Sequence, residues 1–162
     1  WADQLEASLG ARTGRVCDRM VNVSVGGRRT RDGLAGMPNW LALYKPTHVL
    51  IAQGTNDAWG SVPLATIEAN LNQMVSLARN AGAKPYVMEF PFLRSGNSYR
   101  QNLSAVYRRA GSTAQASYIF GTNGVAQNAT NYHPDLVHLT NTPQPRNVNN
   151  ARAVMAPDFQ LD

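Results

Sequence analysis

The chain is poor in cysteine and lysine and has no long apolar run, and each shortage excludes something. Its single cysteine, Cys17, rules out an intramolecular disulfide and leaves the redox compartment open. No conspicuous Cys–His motif surrounds it, so a packing role is expected rather than a reactive one. No stretch approaches the roughly 18 consecutive apolar residues of a membrane-spanning helix. Lysine is confined to Lys45 and Lys84, so the formal net charge of +5 is carried almost wholly by arginine. Such a balance can favour acidic surfaces, polysaccharides or nucleic acid. No zinc-finger, RNP or basic-helix pattern accompanies it, and no nucleic-acid partner is expected. Internal repeats and low-complexity linkers are absent too. The nearest thing to an irregular region is the Asn/Thr/Pro-rich stretch from Gly121 to Asn150. No signal peptide is visible, but the chain opens on Trp1 rather than methionine, so this absence says nothing about secretion.

What is present is enough for a core. At 162 residues and 43% hydrophobic, the chain reads as one domain, residues 1–162. Residues 1 to about 12 carry Trp1, Leu5 and Leu9 at helical spacing. Met20 to Val25 alternates apolar and small polar residues and reads as a strand, broken by Gly26-Gly27. A helix is expected from about Gly33 to Tyr44; Pro38 is tolerable only near a first turn, which places the start nearer Met37. Lys45-Pro46 ends it. Thr47–Gln53 is a buried strand. Pro63 opens a strong helix to about Ala81, with Leu64, Ile67, Leu71 and Met74 on one face, and Gly82 closes it. Lys84 to Phe90 reads as strand, Ser98 to about Ala110 as helix, and Ser117 to Phe120 as a short strand. A final helix is expected over Val148 to Met155. Strands alternating with helices imply an α/β fold, a parallel sheet flanked by helices in a three-layer α/β/α sandwich.

In such a sheet, ligands bind beyond the carboxyl ends of the strands. The chain is organised around one of these ends. Val49-Leu-Ile-Ala-Gln53 stops abruptly at Gly54-Thr55-Asn56-Asp57, a small polar loop. Gly54 lets the backbone approach a ligand, and Asn56 offers a neutral amide donor of the kind that stabilises a developing oxyanion. Gly27 follows a strand where its N–H can face the same crevice. Asp135 and His138 stand three apart, so a carboxylate there can fix an imidazole tautomer. An oriented neutral histidine is what a general base needs. Each feature alone also fits a plain turn or loop. His133 with His138 lacks any further ligand pattern, so no metal site is expected. His48 opens a strand and reads as structural.

The ordered combination is more specific. Asn22-Val-Ser-Val-Gly-Gly27, then Gly54-Thr-Asn56-Asp57, then Asp135-Leu-Val-His138-Leu-Thr140 resembles the second, third and fifth blocks of the SGNH hydrolases, also called the GDSL esterase/lipase family. The resemblance runs from Trp1 to about Thr140. It implies a flavodoxin-like sheet, ester hydrolysis without metal or organic cofactor, and an acyl-enzyme mechanism. It further implies Gly27 N–H and the Asn56 side chain as oxyanion-hole donors, His138 as base and Asp135 as its orienting acid. Members acting as lysophospholipases, thioesterases or carbohydrate esterases look nearest, so a small-molecule or carbohydrate ester is the expected substrate.

The family's first block, Gly-Asp-Ser-Leu or a variant, does not occur in this sequence. Ser24, Ser61 and Ser95 sit on no strand-to-helix elbow of the needed kind. That block also carries the central strand of the 2-1-3-4-5 sheet. Without it, Met20–Val25 and Thr47–Gln53 would have unpaired edges, each buried backbone group costing about 1–3 kcal/mol, against a total stability of about 5–15 kcal/mol. The expectation is therefore an N-terminally incomplete domain, its first strand and serine supplied by an upstream segment or a separate complementing peptide. Arg28, Arg29 and Arg31 stand where family members more often carry small polar residues. They form a solvated basic loop or a docking point for an anionic substrate, since arginine binds carboxylates in a fork. Two other functions fit the same residues: an inactive carbohydrate- or protein-binding domain, and acyl transfer. Few lysines, many arginines and the Asn/Thr-rich region lean towards a bacterial secreted or periplasmic protein.

Overall fold

A computed structural model describes residues 2–13, 20–90, 92–93, 96–113 and 116–159. The expectations placed on Trp1, Cys17 and Ser95 lie outside the described residues. The elements run α1 (Ala2–Thr13), α2 (Thr30–Tyr44), β1 (His48–Ile51), α3 (Thr55–Trp59), α4 (Leu64–Asn80), β2 (Lys84–Glu89), α5 (Asn97–Thr113), β3 (Ser117–Phe120) and α6 (Gln144–Met155), with short 3-10 turns at Ala129–Asn131 and Ala156–Phe159. The result is a helix-rich α/β fold around a small sheet of order β1-β2-β3. The chain divides into two compact units.

The first unit spans Ser24–Pro91 and Ser95–Ile119. Its centre is β1 paired parallel to β2, with His48 opposite Lys84 and Ile51 opposite Val87. α4 packs on both strands, and α2 and α5 pack on α4. Apolar residues at helical spacing make this possible: Ile67, Leu71, Met74, Val75 and Ala78 form the buried stripe of α4. Against them stand Tyr86, Val87 and Met88 of β2 and Leu103, Val106 and Tyr107 of α5, all buried. Each fully buried large apolar side chain of this set contributes about 1.5–3 kcal/mol. Pro63 caps α4, and Gly82, at φ +80°, follows its end in the left-handed conformation that terminates helices. On the solvent side, Arg109 of α5 grips Glu68 of α4 through both carboxylate oxygens at 2.7 Å, which holds the Glu68 carboxyl below its usual range.

Two expected elements differ. The helix through Pro38 begins at Thr30 rather than near Met37. Proline costs the helix only the bond to the Leu34 carbonyl, and a strongly capped N-terminus outweighs it: Asp32 Oδ2 accepts the Arg29 N–H at 2.9 Å, and Asp57 accepts the Thr30 N–H at 2.8 Å. The second difference is Met20–Val25, which forms no strand. A ladder needs a partner, and no strand pairs with this segment among the described residues; Val21 and Val25 are exposed. The edge of β1 away from β2 likewise carries no neighbour among the described residues.

The second unit spans Trp1–Val23, Phe92–Arg94 and Phe120–Asp162. α1 packs on α6, burying Leu5 and Leu9 against a helix whose Val148, Ala151 and Met155 face inward. α6 starts four residues earlier than its apolar spacing predicts. Pro143 and Pro145 sit at its first turn, where a missing N–H costs no hydrogen bond. Asn150 extends from α6 to the carbonyls of Gly121 (2.8 Å) and Asn123 (2.9 Å), fixing the turn after β3.

Candidate active site

The site residues lie in two groups, one in each unit. In the second unit, Asp135 and His138 meet. The segment His133–Leu139 is a tight loop, not a helical turn. His133 N–H donates to the His138 carbonyl (2.7 Å), Leu136 N–H to the His133 carbonyl (2.8 Å), and Tyr132 and Leu139 form an isolated antiparallel bridge. Leu136 takes φ +58°, a left-handed conformation unusual for a branched side chain. Its carbonyl is held by the Leu93 N–H at 2.8 Å. The strained residue reverses the chain so that both ends of Asp135-Leu-Val-His138 point the same way.

The Asp135 carboxylate is saturated by its own loop. Oδ1 accepts the backbone N–H of Val137 (2.9 Å) and of His138 (3.0 Å), and Oδ2 meets His138 Nδ1 at 2.7 Å. The imidazole bond first, then the two backbone donors, hold the carboxyl far below its ordinary range. An ionised carboxylate only accepts, so the Nδ1 hydrogen belongs to His138, and Nε2 is left as the basic nitrogen. The ring is exposed (72% of the side chain), which keeps that nitrogen open to a reacting hydroxyl. His133 enters this arrangement only through its backbone. His48, at the start of β1, bonds the Thr47 hydroxyl (2.9 Å) and stacks on Tyr86.

In the first unit, the end of β1 and the loop before α2 come together. Gly26 and Gly27 turn the chain, closed by Arg28 N–H on the Val25 carbonyl at 3.3 Å, and Gly27 holds φ +80° with its edge exposed. Only glycine adopts that angle without strain. The polar loop after β1 is not a bare turn: Thr55–Trp59 forms a helical turn, α3, whose start follows Gly54 at φ +122°. Asn56 Nδ2 donates to the Arg28 carbonyl at 3.0 Å. One amide hydrogen thus fixes the side chain against the Gly27–Arg28 loop, and the amide has a second hydrogen to give. Arg28 is exposed; the Arg29 guanidinium lies against Gly60 at the end of α3, its Nη2 so close that a Cβ there would stand 2.3 Å away. Arg31 pairs loosely with Asp32 at 3.5 Å.

Four contributors, Asp57, Thr30, Asn70 and Tyr107, carry no functional signal in the sequence motifs. Asp57, 1% exposed, accepts the Thr30 hydroxyl at 2.5 Å as well as its N–H. Asn70 of α4 backs that hydroxyl at 2.9 Å. Tyr107 of α5 reaches the Gln53 carbonyl at the end of β1. The available signal was an acidic residue, Asp57, set against apolar Ala58 and Trp59. Ser24 lies in an irregular segment and Ser61 between two helices at φ +55°, so neither occupies a strand-to-helix elbow. Among the described residues, no three His, Cys, Asp or Glu side chains are grouped to hold a metal ion.

Comparison with known proteins bears on this geometry. The model of the GDSL-like lipase/acylhydrolase family matches residues 1–142. Esterase TesA of Pseudomonas aeruginosa is 30% identical over 141 residues, which cover 86% of this chain and 70% of that protein. An arylesterase of Vibrio mimicus is 37% identical over 70 residues, 43% of this chain and 35% of its own length. The chain thus spans about a third of that relative. The crystal structure of TesA superposes with a TM-score of 0.87 at 30% identity, covering 97% of this chain and 87% of that one.

Proposed function

Because the chain belongs to the GDSL-like lipase/acylhydrolase family, we propose that it carries the base and the oxyanion donors of a serine ester hydrolase whose nucleophile lies on a segment outside this sequence. The observation that carries the reading is the 2.7 Å bond from His138 Nδ1 to an Asp135 carboxylate already anchored by two backbone N–H groups. That arrangement leaves His138 Nε2 to take the serine proton while Asp135 stabilises the imidazolium. The serine oxygen attacks the acyl carbonyl, Gly27 N–H and the Asn56 amide hold the resulting oxyanion, and the alcohol leaves with the proton from His138. Water then enters by the same route in reverse and releases the acid. The substrate class is a carboxylic ester of a small alcohol or of a carbohydrate, with Arg28 and Arg29 placed beside the oxyanion donors.

The test begins with denaturing intact-mass analysis of the purified folded protein, followed by a fluorophosphonate probe and p-nitrophenyl acetate. A mass above 17.6 kDa, or a second peptide with a Gly-Asp-Ser-like segment that takes the probe, supports the reading. His138→Ala must then abolish both labelling and hydrolysis. A serine-bearing form that neither labels nor hydrolyses ester overturns it.

A further inference from the structure

Consecutive residues of α3 hold the junction between the Gly27–Arg28 loop and the start of α2. Asn56 holds the Arg28 carbonyl from one side, and Asp57 holds the N–H and the hydroxyl of Thr30 from the other. Both Asp57 and Thr30 are buried, at 1% and 0% exposure, although they adjoin exposed Gly27 and Arg28. The Thr30 hydroxyl accepts the Asn70 amide, which directs its own hydrogen at Asp57 Oδ1. The carboxylate thus sits on the N-terminus of α2, where the helix dipole favours a negative charge.

Resting on the esterase reading, we propose that Asp57 and Thr30, backed by Asn70, are positioning residues that lock the two oxyanion donors at a fixed separation. Gly27 belongs to the loop and Asn56 to α3, and the two are joined covalently only through 28 intervening residues. Their spacing is set by the hydrogen bonds between loop and helix. The bond from Asn56 to Arg28 is exposed, and exposed bonds exchange readily with water. The Asp57–Thr30 pair is the buried part of the same contact, and a buried charge-assisted bond is the stronger and less exchangeable one. Loss of the Thr30 hydroxyl bond leaves a carboxylate oxygen buried without its partner, so α3 shifts to regain solvent and Asn56 shifts with it. Misplacing an oxyanion donor weakens binding of the transition state and not of the ground state.

The decisive variant is Thr30→Val, which keeps the shape and the backbone bond but removes the hydroxyl; Thr30→Ser restores it. Asp57→Ala is the harsher change. The first readout is the side-chain amide pair of Asn56 in ¹⁵N–¹H spectra of the 162-residue chain, assigned by its loss in Asn56→Ala. The second is hydrolysis of p-nitrophenyl acetate by the serine-bearing protein. Thr30→Val should move the Asn56 amide resonances and lower kcat by about 10- to 100-fold, with KM within about twofold of wild type, and Thr30→Ser should reverse both. Unmoved Asn56 resonances in folded Thr30→Val overturn the proposal, even if Asp57→Ala unfolds the protein. So does a lower melting temperature with unchanged resonances and kcat, which marks a purely structural role. A wild-type protein that hydrolyses no ester defeats the esterase reading alone, and the amide resonances still decide the lock.

Discussion

The hydroxyl of Tyr107 donates to the carbonyl of Gln53 at 2.8 Å, and the same oxygen bars any side chain at Gly54. A Cβ at Gly54 would stand 2.3 Å from it, and the residue holds φ +122°. Tyr107 is buried, which raises its phenol well above the ordinary range, so the group is a permanent donor. One residue of α5 therefore fixes the end of β1 and, through it, the start of α3. Tyr107→Phe should cost about 1–3 kcal/mol, the penalty for leaving a buried carbonyl unpaired. Gly54→Ala should cost more, because it combines a clash with a forbidden angle. Urea denaturation checks both, and a Gly54→Ala protein as stable as wild type would contradict the packing described.

Asn56→Ala removes an amide that the fold uses only at an exposed bond. Its effect on stability should be small, under about 1 kcal/mol. In the serine-bearing enzyme kcat should fall by about 10²–10³, as loss of one oxyanion donor does elsewhere. A rate within twofold of wild type, at about unchanged KM, would remove Asn56 from the oxyanion hole.

The apolar periodicities of α4 and α5 were legible because those helices bury one stripe against β1 and β2, and burial writes itself into spacing. The core of β2 is legible for the same reason. Met20–Val25 alternates as a strand does yet forms none, because alternation records a preference for a ladder but not the presence of the neighbour that completes it. α2 reads as shorter than it is because Pro38 is visible locally, whereas the cap supplied by Asp57 comes from 27 residues away. The family blocks single out Asp135, His138, Gly27 and Asn56 as the expected site residues. They say nothing of Thr30 or Asn70, whose contribution consists of hydrogen bonds to residues far away in sequence and leaves no spacing to read.

Glu89, at the end of β2, makes stability fall with rising pH. It is 3% exposed, and burial first of all raises its carboxyl above the ordinary value, although Ser104 (3.0 Å) and the Tyr118 hydroxyl bond to it and oppose the shift. Tyr118 in turn is pushed up to about 12. With the folded value above the unfolded one, the native state retains a proton that the unfolded chain has lost. Stability from this group is therefore greatest below the unfolded carboxylate value of about 4.3 and declines as pH rises through the window between the two values. Melting temperatures measured across that window should show the decline, and Glu89→Gln should flatten it. An identical pH profile for the variant would place the dependence elsewhere.

Arg28 and Arg29 divide two tasks. The Arg28 backbone carbonyl serves Asn56, leaving its exposed guanidinium available, while the Arg29 guanidinium lies against Gly60, just after α3. If these charges meet an acidic ester, each contributes what an exposed pair contributes, about 0.5–1 kcal/mol. Glutamine keeps the length and removes the charge. Arg28→Gln and Arg29→Gln should each raise KM for a succinyl or similar acidic ester by roughly 2- to 5-fold, with kcat and the KM for p-nitrophenyl acetate unchanged. The difference should shrink in about 1 M salt, where the screening length drops to roughly 3 Å. Equal effects on the acidic and the neutral ester would mean that the arginines shape the loop rather than read substrate charge. The double variant separates the two cases further. Charges acting independently on one carboxylate multiply their effects on KM, whereas a loop already displaced by the first substitution has little left to lose from the second.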